Sequence, residues 1–294
     1  MTTGAPRVYI VGAGPGDPSL ISLRGYRCLT RADVVIYDHR VQARLLRWAP
    51  AAAERIDVGP SSPKPLEQDA VALLVAEKVR EGRLVVRLKW GDPFVFDTGG
   101  KEALLLAEHG IPFEIIPGIP AAIAAPAYAG IPVTYPAAGD TLVIIRGAET
   151  ATTDPPDVDW AALAKMDGSL VCYAGPRQLP SIAKALITHG RNADDAAVLI
   201  RNGTLPTQQE YTATDDEAEV AEPEEQPQVP GVAHQTRQAS QDQLIAPTGV
   251  DRGDHPLYRI VQQHRNAIRG TYGNHDARLI GDQRIPGSIE AVFT

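Results

Sequence analysis

The feature that most constrains the fold is a strand, a glycine turn and a helix that follow one another within residues 84–106. Residues 84–88 form an apolar stretch that predicts a buried strand, which Gly91-Asp92-Pro93 ends. Gly99-Gly100 then begins an amphipathic stretch that predicts a helix. Open α/β sheets bind ligands at the carboxyl ends of their strands, because backbone groups lack partners there. The turn is therefore a candidate binding site, and a tight loop without a ligand is the equal alternative.

The same alternation of strand and helix recurs along much of the chain. It predicts one α/β domain with a mostly parallel sheet over residues 1–136 and a second, smaller α/β domain over residues 137–213. Residues 132–140, where proline, alanine and glycine collect, separate the two sets. The strands expected in the first domain are residues 7–11, 33–37, 54–59, 84–88 and 113–116.

Residues 214–294 have a different composition. Residues 215–225 are acidic, and residues 226–243 are polar, rich in glutamine and nearly free of large apolar side chains. Such a segment buries too little apolar surface to offset the entropy of ordering its backbone. We therefore predict an atypical polar tail that is poorly ordered.

Charge and cysteine content narrow the function classes. A net charge of −8 and a pI near 5.4 argue against a nucleic-acid-binding surface. No apolar run approaches the roughly 20 residues that span a bilayer, and the N-terminus lacks a signal-peptide pattern. Cys28 and Cys172 lie far apart, without metal-ligand spacing. We expect a cytoplasmic protein with no metal, membrane or nucleic-acid partner.

Two further loops follow predicted strands. Gly12-Ala13-Gly14-Pro15-Gly16-Asp17 is similar to the first turn of a dinucleotide-binding unit, but Asp17 stands where that fingerprint has glycine or alanine. A nucleotide-dependent oxidoreductase is therefore a weaker alternative. Asp38 follows the strand at residues 33–37 and could bind a ribose, act in catalysis or cap the next segment.

Four stretches together resemble the S-adenosylmethionine-dependent uroporphyrinogen-III C-methyltransferases of the tetrapyrrole methylase family. They occur in the family's order and span about residues 6–212: Val11-Gly-Ala-Gly-Pro-Gly-Asp-Pro18, Val34-Val-Ile-Tyr-Asp38, Val86-Arg-Leu-Lys-Trp-Gly-Asp-Pro-Phe-Val-Phe96 and Ala121-Ala-Ile-Ala-Ala-Pro-Ala-Tyr-Ala-Gly-Ile-Pro-Val-Thr134. The resemblance implies two α/β domains with the cofactor S-adenosylmethionine in the cleft between them, usually in a homodimer. It also implies two methyl transfers to uroporphyrinogen III, giving precorrin-2 for sirohaem or cobalamin synthesis.

The resemblance further implies roles for individual residues. Asp38 matches the family's catalytic aspartate. Arg87 is a candidate partner for the carboxylates of the tetrapyrrole substrate and, with equal weight, a structural residue at the strand's end. The positions that contact the cofactor in the family are occupied by Pro15, Gly91, Asp92, Val95, Ala121, Ala174 and Gly203.

Several positions depart from the family pattern. Pro60 stands where the family has a catalytic lysine, and Lys64 is the nearest substitute in the sequence. Trp90 replaces the first glycine of Gly-Gly-Asp-Pro, so its ring either turns outward or narrows the cofactor pocket. Pro120 and Ala174 replace residues that commonly donate a hydrogen bond to the cofactor and pack on it. A non-catalytic remnant of the family that binds cofactor or tetrapyrrole is therefore the main alternative.

The family's second domain closes with a helix and an apolar strand, and residues 215–294 show neither pattern clearly. We predict that the closing strand is absent, which would leave an unpaired sheet edge and destabilise the second domain. The alternative is that the strand exists in divergent form.

Overall fold

A computed structural model describes residues 7–38, 41–59, 62, 65–134, 139–147, 152–175, 177–214 and 289–293. The first sheet and its helices comprise β1 (Val8–Gly12), a short 3₁₀ helix (Pro18–Leu20), α1 (Leu23–Leu29), β2 (Val34–Tyr37), α2 (Ala43–Leu46), β3 (Glu54–Asp57), α3 (Gln68–Arg80), β4 (Val85–Lys89), α4 (Gly99–Glu108), β5 (Phe113–Ile116) and α5 (Ala121–Tyr128). The second part comprises β6 (Leu142–Arg146), α6 (Trp160–Ala164), β7 (Ser169–Ala174), α7 (Leu179–Thr188), β8 (Ala196–Arg201), β9 (Gln209–Thr214) and β10 (Ile289–Phe293).

The first sheet has five strands in the order β3-β2-β4-β1-β5, and every neighbouring pair is parallel. Side chains alternate between its faces, as the period of a strand requires. Ile10 and Ile36 pack on one face with α3 and α4, and Val11 and Val35 pack on the other with α1 and α2. The predicted α/β class with a parallel sheet is confirmed. All five strands therefore end at one edge of the sheet.

The second sheet has the order β6-β7-β10-β8-β9. Its β6–β7 pair is parallel, and the pairs made by β10 and by β8 with β9 are antiparallel. One face packs on α6 and α7, through residues such as Trp160 and Ile182. The other face packs against α5, where Ala122 and Ala125 lie in one core cluster with Val171. The small side chains of α5 thus join the two sheets.

A closing strand is present at residues 289–293, so the prediction of its absence is wrong. β10 pairs with β7 on one side and β8 on the other, in the middle of the second sheet. Five residues suffice because two ladders of backbone hydrogen bonds fix such a strand, whatever the composition before it. The rest of the tail beyond Thr214 lies outside the described residues, and the domain boundaries stay predictions.

Within the described part of the chain, no helix combines the length and the apolar character needed to cross a membrane.

Candidate functional site

Three glycine-containing loops meet at the carboxyl edge of the first sheet. The amide of Gly91 donates to the carbonyl of Gly14 at 2.9 Å, and the amide of Gly14 donates back to Gly91 at 3.2 Å. A Cβ atom on Gly12 would lie 2.4 Å from the amide nitrogen of Gly118, and one on Gly118 would lie 2.1 Å from the carbonyl oxygen of Gly91. Only glycine permits this approach. The loops after β1, β4 and β5 are therefore held in direct backbone contact.

Asp92 holds two parts of this arrangement together. Its Oδ1 accepts a hydrogen bond from the amide of Phe94 at 2.8 Å, and its Oδ2 accepts one from the amide of Gly118 at 3.0 Å. The carboxylate thus shapes its own turn and ties it to the loop after β5. Each carboxylate oxygen has a second lone pair, so the predicted cofactor contact of Asp92 stays compatible with this role and stays a prediction.

The loop after β8 reaches across to the loop after β1. The amide of Asp17 donates to Oγ1 of Thr204 at 3.1 Å, and a Cβ atom on Gly16 would lie 3.2 Å from the carbonyl oxygen of Gly203. Thr204 is buried and has φ of 66°, a conformation that non-glycine residues rarely adopt. The structure thus brings Gly203 beside the first glycine loop. Thr204 was missed because nothing in its sequence context signals this contact.

Trp90 lies between the two sheets and does not turn outward. Its indole Nε1 donates to the carbonyl oxygen of Pro15 at 3.1 Å, and its ring meets Tyr173 edge-on with the centroids 6.3 Å apart. The Tyr173 hydroxyl accepts a hydrogen bond from the amide of Ala122 at 2.8 Å. The ring of Phe96 meets Tyr173 from another side, at 5.9 Å. Of the two alternatives for Trp90, the inward orientation is the one observed.

The remaining predicted cofactor residues lie at the end of a strand, at the start of a helix or in the turn that follows a strand. Ala121 begins α5, and Ala174 ends β7; each is 1% exposed. Val95 is half-buried in the turn after β4, with its amide 3.4 Å from the carbonyl oxygen of Asp92. Their contact with a cofactor stays a prediction.

A cluster of buried charges lies beneath these loops. Arg87 and Lys89 are two residues apart on β4, so both side chains point to the face of the sheet that α4 covers. Each residue is 1% exposed. Glu102 of α4 accepts from Arg87 Nε at 3.0 Å and from Lys89 Nζ at 3.0 Å. Lys89 Nζ also lies 2.7 Å from Asp97 and 2.8 Å from Oγ1 of Thr98. Two cations inside the protein are thus held by carboxylates, as burial requires.

Asp38 completes this cluster at the end of β2. Its Oδ2 lies 3.3 Å from Arg87 and 3.8 Å from Lys89. Its Oδ1 is buried and accepts no hydrogen bond from any residue that the structure describes. A carboxylate with one oxygen held by cations and the other unpartnered is suited to accept a proton or a ligand donor. His39 and Arg40, which directly follow Asp38, lie outside the described residues, so the capping role considered for Asp38 stays untested.

The electrostatics of the cluster favour the charged forms of Arg87 and Glu102. Burial by itself lowers the pKa of the Arg87 guanidinium, but the carboxylates of Glu102 and Asp38 outweigh burial and raise that pKa above its ordinary value. Burial likewise raises the pKa of Glu102, while Arg87 and Lys89 outweigh it and lower the pKa below its ordinary value. The buried pair therefore stays ionised at neutral pH.

All three side-chain nitrogens of Arg87 have partners: Glu102 for Nε, the carbonyl of Leu88 for NH1, and Asp38 with Glu102 for NH2. These contacts favour the structural alternative for Arg87 over pairing with a substrate. Lys64 and Pro60 lie outside the described residues. Lys89 was not singled out from the sequence, although a lysine two residues after an arginine in an apolar strand signals a buried face that needs carboxylates.

Comparisons with known proteins agree with this architecture. The profile of the family described as Tetrapyrrole (Corrin/Porphyrin) Methylases matches residues 7–219. Over 209 residues the chain is 40% identical to the S-adenosyl-L-methionine-dependent uroporphyrinogen III methyltransferase of Methanosarcina barkeri, and the match covers 71% of this chain and 82% of that protein. It is 46% identical over 209 residues to the siroheme synthase of Neisseria meningitidis, a match that covers 70% of this chain and 43% of the relative.

Among solved structures, the uroporphyrin-III C-methyltransferase of Thermus thermophilus, crystallised with S-adenosylhomocysteine, superposes with a TM-score of 0.63. It is 33% identical in sequence, and the match covers 75% of this chain and 94% of that one. The chain spans less than half the length of the siroheme synthases that it matches.

Proposed function

Because the chain belongs to the tetrapyrrole (corrin/porphyrin) methylases, we propose that it is a uroporphyrinogen-III C-methyltransferase. It transfers two methyl groups from S-adenosylmethionine to uroporphyrinogen III, giving precorrin-2 for sirohaem or cobalamin synthesis, and acts as a homodimer. The observation that carries the proposal is Asp38, whose unpartnered oxygen lies at the same sheet edge as the three glycine loops. A proton acceptor and loops whose backbone a ligand can approach closely thus lie at the same edge of the sheet.

The loops fit a methyl donor that packs against the backbone. Gly91 has φ of +64°, and a Cβ atom there would make only ordinary contacts, 3.6 Å from Cα of Pro120 at the nearest. A single carbon atom thus fits beside its Cα without a clash, while the loops after β1 and β4 are paired by backbone hydrogen bonds. The carbonyl oxygen of Pro15 and the start of α5 at Ala121 border the same region in this proposal.

S-adenosylmethionine supplies an electrophilic methyl group on a sulfonium. An electron-rich pyrrole carbon attacks that methyl carbon in line, so the new carbon–carbon bond forms as the carbon–sulfur bond breaks and its electron pair returns to sulfur. Positioning of the two partners supplies most of the acceleration. The positive charge left on the tetrapyrrole is removed by loss of a proton, for which Asp38 is the acceptor. Arg87 and Lys89 keep the carboxylate in place.

The test is an anaerobic incubation of the purified protein with S-adenosylmethionine and uroporphyrinogen III. The absorption of the methylated product and the amount of S-adenosylhomocysteine released are followed together. We expect both signals, at two molecules of S-adenosylhomocysteine for each tetrapyrrole. Release at a different ratio, or with another tetrapyrrole only, would refute the assignment of substrate and product.

The second candidate is a protein that binds cofactor or tetrapyrrole without turnover. Trp90 favours it, because its indole donates to the carbonyl oxygen of Pro15, a residue at a position that contacts the cofactor in the family. Folded protein that binds S-adenosylhomocysteine in calorimetry and yet shows no release in the incubation would support this candidate.

A further inference from the structure

The geometry points to Lys89 as a residue that, together with Arg87, supplies positive charge beside Asp38 in methyl transfer, with Glu102 and Asp97 holding Lys89 in place. The inference rests on the proposed function and deepens it. Lys89 acts through Asp38 and is therefore a positioning residue.

The contacts of Lys89 are unusual for a lysine. Its ammonium is buried at the end of β4, with four oxygen-bearing side chains around it: Asp97 at 2.7 Å, Thr98 at 2.8 Å, Glu102 at 3.0 Å and Asp38 at 3.8 Å. An ammonium has three donors, and Asp97, Thr98 and Glu102 lie within hydrogen-bond distance of them. Asp38 is left at ion-pair distance. The lysine is thus fixed from one side and faces Asp38 with its charge.

The charge balance explains what this arrangement does. Three carboxylates, those of Asp38, Asp97 and Glu102, surround the two cations Arg87 and Lys89, so the cluster carries one net negative charge. Without Lys89 the same carboxylates would share only Arg87, and repulsion between like charges would push the Asp38 side chain out of position. Lys89 therefore helps to hold the carboxylate of Asp38 where it can accept a proton.

No covalent step involves Lys89 itself. The proton leaves the methylated tetrapyrrole and is taken up by a carboxylate oxygen of Asp38, and it later passes to solvent. The ammonium of Lys89 takes no part in this transfer, because Asp97, Thr98 and Glu102 occupy its donors.

The experiment compares Lys89→Met, which keeps the length of the side chain and removes its charge, with Lys89→Arg and with Lys101→Met. Lys101 is exposed and pairs with Asp69 at 2.8 Å, so its variant is the matched control. We expect Lys89→Met to lower kcat about tenfold at neutral pH, because the Asp38 carboxylate then loses one of the two cations that hold it in place. We expect Lys89→Arg to restore most of the lost kcat and Lys101→Met to leave kcat unchanged.

Coupling to Asp38 gives a second readout. If Lys89 acts through Asp38, Lys89→Met costs little further kcat in an Asp38→Asn background, whereas independent effects would multiply. The affinity for S-adenosylhomocysteine, measured by calorimetry, stays within about twofold in every variant, since the side chain of Lys89 contacts Asp38, Asp97, Thr98 and Glu102 and only its backbone carbonyl meets the first glycine loop. Effects that multiply, or a Lys89→Arg variant that restores none of the lost kcat, would overturn the inference.

A third readout needs no turnover. Lys89 is one of the two cations that lower the pKa of Glu102, so Lys89→Met must raise that pKa, as followed by the carboxyl carbon resonance of Glu102 in a ¹³C NMR titration. An unmoved resonance would overturn the placement of Lys89, whether or not the protein is active. A shifted resonance in a protein that binds both substrates without turnover would support the placement and refute the proposed function instead.

Discussion

Replacing Glu102 with glutamine would leave the shape of the buried cluster nearly intact and remove its central charge. Glu102 accepts from Arg87 at 3.0 and 3.2 Å and from Lys89 at 3.0 Å. The amide group would turn its own donors toward one of these cations, and the bonds that remain would lose their charge assistance. Hydrogen bonds to charged groups contribute about 1.5–3 kcal/mol each. We therefore expect a loss of about 3 kcal/mol, at the lower bound for breaking a buried ion pair.

Urea or thermal unfolding measures this loss. Asp69→Asn is the matched control, because Asp69 pairs with Lys101 in solvent and such pairs contribute about 0–1 kcal/mol. A loss below about 1 kcal/mol in Glu102→Gln, or one equal to the control, would refute the view that this carboxylate compensates two buried cations.

The same variant has a definite pH dependence. The pKa of Glu102 is lowered in the folded protein, so its contribution to stability is complete above its ordinary value of 4.5 and is lost as pH falls through the folded value. The difference in unfolding free energy between the wild type and Glu102→Gln should therefore be full at pH 7 and shrink only below pH 4.5. A difference that is constant down to pH 3 would show that Glu102 is not charged in the native protein.

Three further results are expected. Asp38→Ala should lower kcat about 10²-fold or more with little effect on the calorimetric affinity for S-adenosylhomocysteine; an equal loss of both would count against a chemical role. Trp90→Gly should tighten that affinity because the indole now lies on the Pro15 carbonyl; unchanged affinity would place the ring outside the pocket when cofactor is bound. A chain that ends at residue 288 lacks β10 and exposes the edges of β7 and β8, so it should aggregate in light scattering; a monodisperse, cooperatively unfolding product would contradict the central position of β10.

The sequence predicted the first sheet well because its signals are local. Each strand there is a short apolar stretch followed by a glycine, proline or aspartate turn, and a parallel sheet with helices on both faces needs both faces apolar. The glycine loops were also predictable as places of close approach. Their partners were not, since the contact of Gly12 with Gly118 joins residues more than a hundred positions apart.

The buried charge cluster shows more clearly which contacts the sequence does not predict. Asp38 was found by resemblance, but its relation to Lys89 and Glu102 depends on three elements, β2, β4 and α4, meeting in one register. A period of two places Arg87 and Lys89 on one face of β4, and nothing local says which helix covers that face. The pattern therefore predicts that carboxylates are needed and leaves their identity to the tertiary fold.

β10 was not predicted from the sequence, for the opposite reason. Its five residues are ordinary for a strand, and the polar segment before them suggests that no further core follows. Yet the slot between β7 and β8 offers two rows of backbone groups that must find partners in a buried sheet. The need for the strand thus comes from its neighbours, while composition reports only on the segment itself. A missing element in a sheet is therefore better argued from unpaired neighbouring strands than from the residues expected to fill it.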